Sequence, residues 1–196
     1  MATGSISRRD ILRTLAVGAV GGSVLQVIPA EAAEYVHQVV RGEKSATGKY
    51  IPKYFSAAQY TTLTALCGAI IPKDDRSAGA VEAGAPEFID LLTSENEEFQ
   101  HRLGGGLMWL ENLCVDRYAN PYLSCSPAQQ KEVLDAIAFR RNAKSDPALS
   151  PGIAFFTLLR NMTCDAFYTS KIGIDDLQYI GNTSVRDFPG CPPIPD

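Results

Sequence analysis

Two short stretches, Ser56-Ala57-Ala58-Gln59 and Ser126-Pro127-Ala128-Gln129, constrain this chain more than any other feature. Each places a serine three residues before a glutamine. The serine oxygen can then accept from the glutamine N–H while the glutamine side chain accepts from the serine N–H, which starts a helix. The first is followed by Tyr60, Leu63, Leu66, Cys67 and Ile70, and Pro72 stops the run. The second has proline at the first helical position and continues through Val133, Leu134, Ile137 and Ala138, with Arg140 and Arg141 expected in its last turn. Steps of three and four place apolar residues on one helical face.

Three more segments share that period. A short helix is expected from Pro86 to Thr93, a longer one from about Ser94 to Ala119, and a last one opened by Ser150-Pro151 and carried to Phe167. Gly104-Gly105-Gly106 interrupts the longer helix, at a cost of about 1 kcal/mol per glycine against alanine. The apolar stripe keeps its phase on both sides, so the glycines read as a place where another element packs closely. No run alternates convincingly at period two. The expected fold is all-α, a small bundle of about five helices.

The N-terminus reads differently. Arg8-Arg9 precedes an uncharged, Gly- and Ala-rich run from Leu15 to Ile28, which ends at Pro29-Ala30-Glu31-Ala32. A basic start, a short apolar stretch and an A-x-A ending describe an export signal cut after Ala32, and the paired arginines describe a twin-arginine signal. That route carries proteins already folded. The expected division is residues 1–32 as the signal, 33–55 as a linker or docked arm broken by Gly42, Gly48 and Pro52, and 56–196 as one helical domain. Its tail is expected to be extended from about 173, and its location periplasmic. His37 falls ahead of the expected fold.

The composition excludes several kinds of chemistry. With 18 basic against 22 acidic side chains, the net charge of -4 is wrong for a nucleic-acid protein. His37 and His101 are the only histidines, too few for an imidazole metal centre. Dinucleotide and phosphate-binding glycine motifs are missing, as is C-x-x-C. Asp74-Asp75 and Asp175-Asp176 read as solvated loop acids, Glu95, Glu97 and Glu98 as acids at a helix start, and His101 as a surface or groove residue. No catalytic, cofactor-binding or metal-binding residue is assigned. Five cysteines, Cys67, Cys114, Cys125, Cys164 and Cys191, leave at least one unpaired within the chain. Cys67 lies on an apolar helical stripe and is expected to be a buried thiol.

From about Phe55 to Pro192 the chain resembles the gluconate 2-dehydrogenase subunit 3 family. The stretches that carry the resemblance are Phe55 to Gln59, Ile70-Ile71-Pro72 with Asp74, and Ala80 to Asp90. Later come Tyr168-Thr169-Ser170 with Ile172-Gly173, Leu177 to Asn182, and Gly190-Cys191-Pro192. The resemblance implies the small or gamma subunit of a periplasmic flavin-dependent sugar or sugar-acid dehydrogenase. In such complexes a large subunit of the glucose-methanol-choline type holds FAD and oxidises the substrate, and a multihaem cytochrome c subunit is an optional third member. The small subunit has a chaperone-like role: it stabilises the flavoprotein and carries it through export. On that reading the chain itself holds no cofactor, and Tyr168, Tyr179 and Asn182 are candidate partner contacts in the tail.

Cys191, between Gly190 and Pro192, is the candidate for a disulfide to the flavoprotein, with an intrachain bond to Cys164 or Cys125 as the other option. A stand-alone periplasmic helical binding or structural protein is the alternative function. An oxidoreductase with its own cysteine chemistry is the third reading, disfavoured by the missing C-x-x-C.

Overall fold

The structure is a computed structural model that describes residues 28–179 and 181. Arg8, Arg9, Asn182 and Cys191 lie outside the described residues. Among the described residues there are helices, turns and loops and no strand, and no helix is long and apolar enough to cross a membrane.

Seven helices carry the architecture of the described residues: α1 Ala30–Thr47, α2 Ala57–Ile70, α3 Ala85–Ser94, α4 Gly105–Tyr118, α5 Pro127–Ala138, α6 Ser150–Tyr168 and α7 Lys171–Asp176. The five expected helices correspond to α2 through α6. Both capping boxes form: the Gln129 N–H donates to Ser126 Oγ at 3.3 Å and the Ser126 N–H to Gln129 Oε1 at 2.8 Å, and Ser56 and Gln59 make the same pair. Helix α6 is buried on most sides, as a helix apolar around its circumference must be. It is the central post, packed against α2, α3, α4, α5 and α7. Leu66, Phe88, Leu110, Ile137 and Leu159 meet around it in one core.

The long central helix is one rod with a defect. A single α-turn, Glu97–Phe99, runs into a π-helical segment, Gln100–Gly104, and then into α4, with right-handed helical backbone at each junction. Glu97 and Glu98 lie in its first turn, as expected, whereas Glu95 caps the end of α3. The glycines serve close packing. A methyl group at Gly106 would lie 2.1 Å from the Phe155 ring, and one at Gly152 2.1 Å from the Trp109 ring. Each of α4 and α6 thus offers a glycine notch to the other's aromatic side chain.

Of the two readings of residues 33–55, linker or docked arm, the second holds, and three other expectations need correction. Residues 33–55 are largely helical: α1 begins at Ala30, contains Gly42, and ends where Gly48 turns left-handed at φ 76°. Ala33, Val36 and Val40 bury one stripe of this helix, so the arm is docked. A cut after Ala32 would fall in the first turn of α1. His37, rather than preceding the fold, is buried on that stripe. Arg140 and Arg141 lie beyond α5, because Phe139 adopts extended backbone; the Arg141 guanidinium instead sits 4.7 Å over the Phe139 ring. Finally, Gly173 and the Asp175-Asp176 pair belong to α7 rather than to an extended tail or a loop.

Candidate functional site

The stretches that single out this chain build joints between helices. Asp90 on α3 is fully buried and accepts four hydrogen bonds: from the Tyr50 hydroxyl at 2.8 Å and from the N–H groups of Lys53, Tyr54 and Phe55 at 2.6, 3.1 and 3.0 Å. A buried carboxylate is tolerable only when it is bonded this fully. Burial and the adjacent Asp90 push the Tyr50 phenol well above its usual range. This clamp holds segment 50–55 on the core and delivers Phe55 and the Ser56 cap to α2.

The neighbouring acids act alike. Glu82 accepts from the Gly79 N–H at 3.1 Å. Glu87, nearly buried on α3, pairs with Lys44 of α1, and its second oxygen has no hydrogen-bond partner. Asp74 is solvent-exposed and accepts from the N–H groups of Ser77 and Arg76, which hold its carboxyl below the usual range.

Tyr168-Thr169-Ser170 forms the α6–α7 corner. Ser170 Oγ caps α7 by accepting from the Gly173 N–H at 3.1 Å, and it donates to the Phe167 carbonyl at 2.6 Å. A side chain at Gly173 would begin 2.1 Å from that same carbonyl oxygen, so this corner requires glycine. Thr169 Oγ1 lies 3.0 Å from His37 Nε2, which ties α1 to the corner. The His37 ring also packs 5.0 Å from the Phe88 ring. Burial, aided by Arg41, lowers its pKa to about 4, so the ring is neutral at pH 7.

Of the candidate contacts, Tyr168 and Tyr179 are brought to the same end of the molecule and are 45% and 53% exposed. Ile174 and Leu177 are exposed beside them, giving an apolar end that sequence reading saw only in part. A second apolar surface went unread. It is a cleft of about 610 Å³ between the start of α2 and the outer face of α4, with exposed Met108, Val115 and Leu123 along it. Its residues come from α2, α4 and segment 121–124, so no periodic pattern marks it. His101 is exposed, as expected, and Asp74-Asp75 is a solvated turn. Cys67 is buried and contacts Thr163 Oγ1 at 3.6 Å. The four described cysteines are free thiols. Among the described residues no group of His, Cys, Asp and Glu is arranged to hold a metal ion.

The fold and these surfaces define a small helical protein whose characteristic motifs are structural and which exposes apolar residues at one end and along one cleft. Residues 57–190 match the family described as gluconate 2-dehydrogenase subunit 3, and the chain belongs to that family. The description is of one subunit of a dehydrogenase, which implies dehydrogenase partners. No curated protein and no solved structure matches the chain.

Proposed function

We propose that this chain is the non-catalytic small subunit of a periplasmic flavin-dependent sugar or sugar-acid dehydrogenase. It stabilises an FAD-holding large subunit of the glucose-methanol-choline type and carries it, folded, through twin-arginine export. The observation that carries this reading is where the acids of the matched stretches go. Asp90, Glu82 and Glu87 make structural bonds, Ser170 caps a helix, and apolar side chains are left facing outward at the α6–α7 end. An exposed apolar cluster of this kind marks a protein contact. The Arg8-Arg9 pair supports the export half of the proposal. FAD and the substrate contacts then belong to the large subunit, a cytochrome c subunit, where present, takes the electrons onward, and Cys191, between Gly190 and Pro192, is the candidate to bond the flavoprotein.

The test is co-purification from the periplasm. The complex should show flavin absorbance and dye-linked sugar oxidation, and the isolated small subunit neither. A stoichiometric cofactor on the isolated chain overturns the assignment.

A further inference from the structure

Cys114 and Cys125 are the two cysteines that the fold brings together. Cys114 is fully buried in the last turns of α4, and Cys125 is buried at the end of the short 3-10 turn Tyr122–Ser124. The Cys125 thiol lies near enough to raise the Cys114 thiol, and it donates to the Asn120 carbonyl at 3.7 Å. The register is held from outside the pair. Glu111, one turn before Cys114, accepts from the N–H of Tyr122, one turn before Cys125, at 2.8 Å. The other Glu111 oxygen accepts from Thr62 of α2 at 3.1 Å. Gln130 of α5 donates to the Tyr122 and Cys125 carbonyls at 3.0 and 3.2 Å. The Glu111–Tyr122 bond and the Gln130 bonds anchor the backbone beside both thiols in matching register, the condition a disulfide needs, since it fails when the backbones must move together.

We propose that Cys114 and Cys125 form a thiol pair that closes to an intrachain disulfide when the protein meets a disulfide oxidant. The less buried Cys125 attacks the oxidant's S–S bond as its thiolate, giving a mixed disulfide and releasing one thiol. Cys114 then attacks the Cys125 sulfur and releases the second thiol. Two protein thiols are oxidised, the oxidant disulfide is reduced to two thiols, and the protons pass to them. Burial and the adjacent Cys125 push the Cys114 thiol up to about 12, so closure is slow. The bond would fasten the segment that carries Pro121 and Leu123 to α4 and fix one wall of the apolar cleft. Its formation in the cell rests on the export reading, because disulfides persist in oxidising compartments. It also leaves Cys164 as the described cysteine open to Cys191.

The test uses the full chain, purified reduced and incubated at mildly alkaline pH with oxidised glutathione. Remaining thiols are alkylated after denaturation, and the chain is digested without reductant. The expected product is a Cys114–Cys125 linked peptide two hydrogens lighter than the reduced pair. Alkylation of both residues overturns the proposal. So does a persistent glutathione adduct on Cys125, or a link from Cys125 to Cys164 or Cys191. A second measurement is thermal unfolding: oxidation should raise Tm by about 5 °C, reversibly with reductant, and the shift should vanish in Cys114→Ser. An unchanged Tm in the oxidised wild-type chain overturns the fastening role. The isolated chain is used throughout, so failure of the dehydrogenase-subunit reading leaves this outcome unaffected.

Discussion

At the scale of single residues, the three consecutive glycines separate two effects that a sequence cannot. Gly106 has the Phe155 ring 2.1 Å from where its methyl group would sit, whereas Gly105 has nothing within 4 Å and faces solvent. Gly106→Ala should therefore force α4 and α6 apart and cost about 1–3 kcal/mol. Gly105→Ala should stabilise by about 0.5–1 kcal/mol through helix propensity. Denaturant unfolding of the two variants should give shifts of opposite sign. Asp90 makes a larger claim on one residue. Asp90→Ala leaves three N–H groups and the Tyr50 hydroxyl without their acceptor in the core, and should cost about 3 kcal/mol or more. The same measurement checks it, and a loss below 1 kcal/mol would mean water replaces the carboxylate.

At the scale of elements, the seam between α1 and α6 sets two titrations against each other. His37 on α1 has its pKa lowered to about 4, so the unfolded chain takes up this proton near pH 6.5 while the native state does not. Stability from His37 is therefore lost as pH falls from about 6.5 to about 4. Asp165 on α6 has its pKa raised to about 6 by burial; one of its oxygens has no partner, and the Ile28 N–H bonds the carboxylate. The native state binds that proton first, so stability from Asp165 is lost as pH rises from about 4 to about 6. The slopes oppose each other over the same window. Asp165→Asn in the full chain should leave the His37 slope exposed. Relative to wild type, the variant should gain about 1–2 kcal/mol between pH 4 and pH 7, read by urea unfolding across that range. A constant difference across the range would show that Asp165 does not titrate this way.

Elements also show what a sequence can carry. Helices α2 and α5 were legible because their capping boxes are local devices, complete within four residues. Helix α1 was hidden because Gly42 and Gly48 interrupt the pattern, and its Ala33, Val36 and Val40 stripe includes His37, which reads as polar until Phe88 and Thr169 enclose it. Helix α7 is short and contains Gly173, whose need is set by Phe167 in the preceding helix. The same limit applies to the site. Tyr168 and Tyr179 stood out through their motifs, but the cleft wall at Met108, Val115 and Leu123 exists only after α2, α4 and segment 121–124 converge.

At the scale of the whole molecule, the proposed function requires a signal and a folded body that grips. The body has α6 as a post, α1 clasped to α3 by Lys44–Glu87, and an apolar end at Tyr168, Ile174, Leu177 and Tyr179. On the proposed function, the signal is Arg8-Arg9. If a recognition site reads the guanidinium fork, lysine keeps the charge but loses the paired planar donors, and the substitution is not conservative. Arg8→Lys with Arg9→Lys should leave both this chain and its flavoprotein in the cytoplasm, correctly folded and still bound to each other. Fractionation followed by a dye-linked activity assay reads this directly. Cytoplasmic activity with none in the periplasm is the expected result. Periplasmic activity at the wild-type level would break the link between this chain's signal and its partner's export. The co-purified complex from the cytoplasm keeps the two halves of the idea separate: loss of export with binding retained assigns the arginines to transport alone, and loss of both would mean the double substitution has disturbed the body as well.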